Sequence, residues 1–185
     1  MAQSSRSALL ATGIAIGVAG AASFGYLQAT RAAEAHASLE QRVRQLEDEE
    51  QIRQLYARYM HYLDHRDMVR YSELFTPDGV VVADMGKWVG REAMQKMFQP
   101  RIGTDGKVHN PPREMVHMVS DIVLHVHGNE ARGWGKYFAF FPPSAPGEKT
   151  TVSGIGGYDD WLVKVNGQWF FKKREITRSD PAIEF

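Results

Sequence analysis

The strongest constraint on this chain is the order of its segments: helix-patterned residues come first, and the long strand-patterned runs follow. Met115 to His127, Ala131 to Phe141 and Thr150 to Val165 are rich in β-branched and aromatic residues, and Gln168 to Thr177 adds a fourth run. Gly128-Asn129 and Asn166-Gly167 are turn pairs that close hairpins between such runs. The prolines in Phe141-Pro-Pro-Ser-Ala-Pro-Gly stop strand pairing between the second and third runs. This order predicts an α+β fold in which a curved antiparallel meander folds around the preceding helix.

That helix is written in the residues after Glu50. Ile52, Leu55, Tyr56, Tyr59 and Leu63 recur at steps of three and four, which gathers them on one face. Asp64 lies at the edge of that face, whereas Arg53, Arg58 and Arg66 read as freely solvated charges. A short helix is expected over Val69 to Phe75, a turn at Thr76-Pro-Asp-Gly79, strands at Val80 to Asp84 and Lys87 to Val89, and a helix over Arg91 to Phe98. Ile102 to Pro112, with its glycines and prolines, reads as a loop able to cover a pocket mouth.

At 185 residues there is room for one substantial domain and a short appendage. The 22 basic residues balance the 22 acidic ones, so nothing in the charge calls for nucleic acid, and a small, largely neutral, hydrophobic partner fits better. Cysteine is absent, which removes disulfides, thiolate chemistry and cysteine metal sites. Ala8 to Tyr26 carries no charge and follows Arg6, and Ala33-Glu34-Ala35 and Ala35-His36-Ala37 offer small-x-small cleavage sites. Residues 1–36 are therefore expected to be a signal peptide or a membrane anchor. The chain would then be exported, periplasmic in a bacterium, with cleavage or retention left open. Residues 37–46 form a helical lead-in whose Leu39, Val43 and Leu46 make a seam one helix wide. The domain proper is expected over 47–185.

Two residues carry the chemistry. Asp64 ends the amphipathic helix, and His117 opens the first long strand. A carboxylate that fixes one imidazole nitrogen leaves the other as a base able to take a proton from carbon, with no metal and no cofactor. A plainer account has Asp64 capping its helix and His117 as a hydrogen-bonded core histidine. His125 and His127 alternate on one strand face and lack a third ligand nearby, so no metal is expected. Gly154-Ile-Gly-Gly is followed by strand residues rather than a helix, and so marks a bent or bulged strand rather than a phosphate loop.

Ile-Arg-Gln-Leu-Tyr-Ala-Arg-Tyr, Tyr-Leu-Asp, Glu-Leu-Phe-Thr-Pro-Asp-Gly, Val-Gly-Arg-Glu-Ala-Met, Val-His-Met-Val and Asn-Gly-Gln-Trp-Phe-Phe occur in a familiar order. Across roughly Glu47 to Pro181 the chain resembles the SnoaL-like branch of the nuclear-transport-factor-2-like superfamily. Within it, the chain is similar to the cofactor-free scytalone dehydratases, bile-acid 7α-dehydratases and hexachlorocyclohexane dehydrochlorinases. The resemblance implies a cone-shaped sheet, an Asp/His pair at Asp64 and His117, a homo-oligomer (trimer or dimer), and lyase chemistry on a hydrophobic polycyclic or aromatic molecule. It also brings in Tyr59, and selects either Arg174 or Arg178 from the last strand, according to which relative is followed. Tyr56, Trp88, Tyr137 and Phe138 are the expected substrate-binding aromatics. An isomerase or aldol-type cyclase in the same cavity, and a non-catalytic ligand-binding or assembly module, are the alternatives.

Overall fold

The computed structural model describes the backbone of residues 9–99, 101–102, 108–109 and 114–178, and the side chains of residues 36, 38–99 and 114–178. The chain divides into two compact units, Met1–Leu46 and Glu47–Phe185. The first contains most of a long helix, α1 (Leu9–Asp64), whose lead-in residues Leu39, Val43 and Leu46 are exposed. Among the described residues no helix is long and apolar enough to cross a membrane. The expected signal or anchor at residues 1–36 depends on side chains outside those described.

The second unit starts with residues 47–64 of α1, followed by α2 (Met68–Glu73), β1 (Phe75–Ala83), β2 (Gly86–Val89) and α3 (Arg91–Gln95). A two-stranded pair, β3 (Arg101–Ile102) and β4 (Val108–His109), lies inside the segment read as a loop, whose other residues from 103 to 113 are outside the described ones. Then come β5 (Val116–His127), β6 (Glu130–Phe141), β7 (Thr151–Val165) and β8 (Gln168–Thr177). Six strands form one sheet in the order β2-β1-β8-β7-β6-β5. The expected meander accounts for β5 to β8. Unlike the rest, β1 joins β8 in parallel.

Thr76-Pro-Asp-Gly79 is not a turn. It sits within β1, where the register jumps from Phe75 opposite Phe171 to Val80 opposite Lys173. Gly79 is needed there for space: a Cβ would come within 2.8 Å of the Phe75 Cβ and 3.0 Å of the Thr76 carbonyl. The neighbouring strand is irregular at the same level, because Leu162 pairs with Phe171 and Trp161 with Lys173, leaving Lys172 as an extra residue. Lys172 Nζ reaches Asp78 Oδ2 at 2.5 Å across the two irregularities. The bulge also flips the alternation of β8. Trp169 and Phe171 face inward before it, and Arg174 does after it.

The helix face anticipated from spacing is buried as a unit, with Ile52, Leu55, Tyr56, Tyr59, Met60 and Leu63 packed against Phe75, Tyr158, Leu162, Trp169 and Phe171. At its start, Asp48 accepts from Lys164 Nζ (2.6 Å) and Trp169 Nε1 (2.9 Å), which pins the first turn of this segment to the β7–β8 hairpin. Arg174 stands in the middle of this core, fully buried, opposite Asp160 of β7. Its Nε and Nη2 donate to the two carboxylate oxygens at 2.8 and 2.6 Å, and the Tyr56 hydroxyl donates to the same carboxylate. Four aromatic rings surround the guanidinium, with the centroids of Tyr59 and Tyr158 at 4.0 Å, Phe171 at 4.2 Å and Tyr56 at 4.7 Å. Burial alone would favour neutral arginine, but the Asp160 charge outweighs it and holds Arg174 well above its ordinary pKa.

Two consequences can be measured by urea denaturation. Arg174→Met strands the buried Asp160 carboxylate and is expected to cost about 3–5 kcal/mol, whereas the double replacement Asp160→Leu/Arg174→Met recovers most of that loss. Gly156→Ala puts a methyl 1.9 Å from the Thr177 carbonyl oxygen of β8. It is expected to lower stability by about 1–3 kcal/mol or more, because the obstacle is backbone and cannot rotate away.

Candidate active site

Asp64 and His117 meet. Residues 47–64 of α1 end in a tight reversal that leaves the Asp64 carboxylate beside the start of β5, 53 residues later in the chain. His117 Nδ1 lies 2.6 Å from Asp64 Oδ1, and the His117 backbone N–H is shared between the two carboxylate oxygens at 3.1 Å each. For an ionised carboxylate and a neutral imidazole the 2.6 Å contact requires the ring hydrogen on Nδ1, which leaves Nε2 with its lone pair. Both side chains are mostly shielded, at 15 % and 18 % exposure, which strengthens the contact over one in bulk water.

His117 forms part of the wall of a cavity of about 630 Å³. Tyr59 and Leu63 of α1 and Tyr71 of α2 supply its inner end. Val81 of β1, Trp88 of β2, Met97 and Phe98 after α3, and Tyr137, Tyr158 and Ile176 of the sheet complete a mostly apolar wall. Ser153 to Ile155 of β7 also line it, beside the register shift that leaves Ser153 without an opposite residue on β6; the bulge thus falls just before the glycine run, whose own residues pair regularly. A second hollow of about 450 Å³, bordered by Arg58, Arg70 and Glu73, contains none of the residues expected to do chemistry.

Tyr59 is buried, lines the cavity and accepts a hydrogen bond from the Tyr71 hydroxyl at 3.0 Å. Tyr137 stacks on Tyr158 with ring centres 5.1 Å apart. Burial raises the phenols of Tyr71 and Tyr158 well above their ordinary value and lifts that of Tyr137 as well. These three tyrosines therefore stay protonated near neutral pH, able to donate hydrogen bonds and unable to act as bases.

Of the expected aromatic contacts, Trp88 and Tyr137 line the cavity, but Tyr56 and Phe138 do not. Tyr56 is drawn into the core by its bond to Asp160. Phe138 follows Tyr137 on β6 and so projects from the opposite face of the strand, level with exposed Met118. The two arginines separate by depth. Arg174 is sealed in the core against Asp160 and does not reach the cavity wall, while Arg178 lies in that wall and meets Asp84 Oδ2 at 2.5 Å.

Arg66 corrects the reading that placed it in solvent, since it lines the cavity with its guanidinium 4.7 Å from the centre of the Phe98 ring. Only its position two residues after Asp64 pointed there. Tyr71, too, gave no periodic signal, because α2 has six residues. His125 packs its ring against Trp134, and among the described residues no three His, Asp or Glu side chains gather where a metal could be held.

None of the curated proteins compared matches the chain. Solved structures do. An NTF2-like protein with a cystatin-like fold from Novosphingobium aromaticivorans superposes with a TM-score of 0.64 at 23 % identity, covering 78 % of this chain and 90 % of its own. A scytalone-dehydratase candidate from the same organism gives 0.55 at 24 %, covering 75 % and 91 %. LinA gives 0.56 at 18 %, covering 72 % and 86 %. At these identities the likeness concerns the fold. Its fold is the NTF2-like, cystatin-like one of these structures; the model of the SnoaL-like domain matches residues 44–175, a span that includes Asp64, His117 and most of the cavity wall, and the chain belongs to that family.

Proposed function

We propose that this protein is a cofactor-independent lyase, a dehydratase or related β-eliminating enzyme, acting on a hydrophobic polycyclic or aromatic small molecule. The observation that carries the reading is the 2.6 Å contact between His117 Nδ1 and Asp64 Oδ1 at the wall of a mostly apolar cavity. A single positioned base of this kind contributes roughly 10²- to 10⁴-fold in rate.

In this mechanism His117 Nε2 takes the proton from the carbon next to an activating carbonyl, and Asp64 stabilises the imidazolium that forms. The electrons of the broken C–H bond become the new carbon–carbon double bond, and the leaving hydroxyl departs with the electrons of its own bond. The proton held on His117 then passes to that hydroxide, so water leaves and the imidazole is restored. Tyr59 is suited to hydrogen-bond the carbonyl or the departing oxygen. Its hydroxyl accepts from Tyr71, which leaves its own hydrogen available for donation. Arg178, one residue past the end of β8, is the arginine of the two that remains at the cavity wall to face an enolate-like oxygen. The apolar lining, from Val81 to Ile176, limits competition by water for these donors.

The reaction class can be read by mass spectrometry in heavy water with a panel of bicyclic aromatic β-hydroxy ketones. Loss of water is the expected result, with deuterium entering the carbon beside the carbonyl of recovered substrate only where the enolate is reprotonated before the hydroxide leaves. Deuterium entry into a product that has not lost water would mark an isomerase, and saturable binding with neither exchange nor loss of water would mark a ligand-binding module; either overturns the lyase reading. On a substrate so identified, His117→Ala is expected to abolish turnover while the protein stays folded, and Asp64→Asn to lower kcat by about 10²- to 10⁴-fold. Normal turnover by the His117→Ala variant would remove the mechanism.

A further inference from the structure

The phenols packed around Arg174 differ in what their hydroxyls do. The Tyr56 hydroxyl donates to Asp160, and the Tyr59 hydroxyl accepts from Tyr71 at 3.0 Å. Tyr158 is just as deeply placed, at 2 % exposure, yet its hydroxyl has no hydrogen-bond partner among the described residues. Two side-chain polar atoms among those residues are sealed from solvent without a partner, Thr76 Oγ1 and Arg174 Nη1, and the Tyr158 hydroxyl is not one of them. It therefore opens onto free space, and the space that Tyr158 borders is the cavity. Polar groups at this depth ordinarily have a partner. Phenylalanine would make the same ring contacts, so packing does not account for the hydroxyl.

The ring itself is held on three sides. Tyr137 stacks on it with centres 5.1 Å apart, Tyr59 meets it edge-on at 6.0 Å, and the Arg174 guanidinium lies 4.0 Å from its centre. A side chain fixed in this way loses little freedom when a ligand binds to it. Burial, the largest influence, raises the phenol well above its ordinary value; Tyr59 adds to the rise and Arg174 opposes it. The group thus keeps its hydrogen near neutral pH, and the cation on its ring favours the charge shift that accompanies donation. Tyr137 also lines the cavity with an unpartnered hydroxyl, but it is only partly buried, so solvent can serve it.

We propose that Tyr158 is a specificity-determining residue whose hydroxyl donates a hydrogen bond to an oxygen of the substrate, so that the hydrophobic molecule taken into this cavity carries an acceptor such as a ketone at its most deeply buried end. The inference narrows the substrate class of the proposed lyase and rests on that reading for its catalytic meaning. The binding step itself does not require turnover.

The test uses 2-acetylnaphthalene and 2-isopropenylnaphthalene, which differ by an oxygen in place of a methylene, titrated calorimetrically into the full chain, with Tyr158→Phe and His117→Ala as variants. Wild-type protein is expected to prefer the ketone by about threefold to tenfold, the worth of one uncharged hydrogen bond. Tyr158→Phe should erase that preference, and its thermal midpoint should be equal to or above that of wild type. The carbonyl stretch of the bound ketone, read by isotope-edited infrared spectroscopy, should lie at lower frequency in wild type than in Tyr158→Phe. Wild type that does not discriminate between the two probes, whether it binds both or neither, overturns the proposal. So does a Tyr158→Phe protein that keeps the preference or leaves the carbonyl frequency unchanged, or one with a lowered midpoint and equal losses for both probes, because the hydroxyl would then be structural. His117→Ala should retain the preference, and its loss there would assign the contact to the imidazole and overturn the role of Tyr158. If the preference depends on Tyr158 while the heavy-water assay shows no loss of water, the lyase reading falls and the recognition role of Tyr158 stands.

Discussion

A buried ion pair at the centre of the core organises the domain. Arg174 and Asp160 face each other across β8 and β7, and the Tyr56 hydroxyl ties the same carboxylate to α1. Neither charge could remain in this core alone, since an unpaired buried ion costs several kcal/mol. Two strands and the helix must therefore be in register before the interior closes. The rings of Tyr59, Tyr158 and Phe171 pack around the guanidinium, and Tyr59 and Tyr158 also form part of the cavity wall. The packing that satisfies the ion pair therefore fixes the inner end of the cavity.

Much of the architecture was legible because it follows from periodicity. The helix face at Ile52 to Leu63 buried as spaced, and the long strands β5 to β8 lie within a residue of their expected limits. Asp64 and His117 were legible in a different way, through their positions in a family order, since nothing in the local pattern of either segment states that they meet 53 residues apart. Thr76 to Gly79 reads as a turn by composition, but it is the irregular part of a strand whose partner carries an extra residue at Lys172. Bulges are decided by how neighbouring strands fit, and single-strand alternation cannot register them.

Both Arg174 and Arg178 follow that bulge, and spacing alone does not separate them. Arg174 lies within β8 and Arg178 one residue past its end, four residues on, so strand parity treats them alike. What separates them is depth along the strand. Arg174 lies opposite Asp160 in the sealed interior, whereas Arg178 has reached the cavity wall and Asp84. Arg66 was missed for the converse reason: a helical wheel continues past the point where the helix stops, and the reversal after Asp64 turns a side chain assigned to solvent toward the cavity.

The strand that carries His117 lies at the border of the sheet, with β6 on one side and, among the described residues, no strand on the other. Its amide at His117 is taken by the Asp64 carboxylate, which supplies there the acceptor that a seventh strand would have supplied. A carboxylate used in this way serves as a stopper. Another chain approaching this margin to extend the sheet would have to displace a charged acceptor at its first step, and exposed sheet borders left without such protection invite aggregation. The residue proposed to tune the base would then also discourage this border from templating fibrils, and its removal would weaken both safeguards at once.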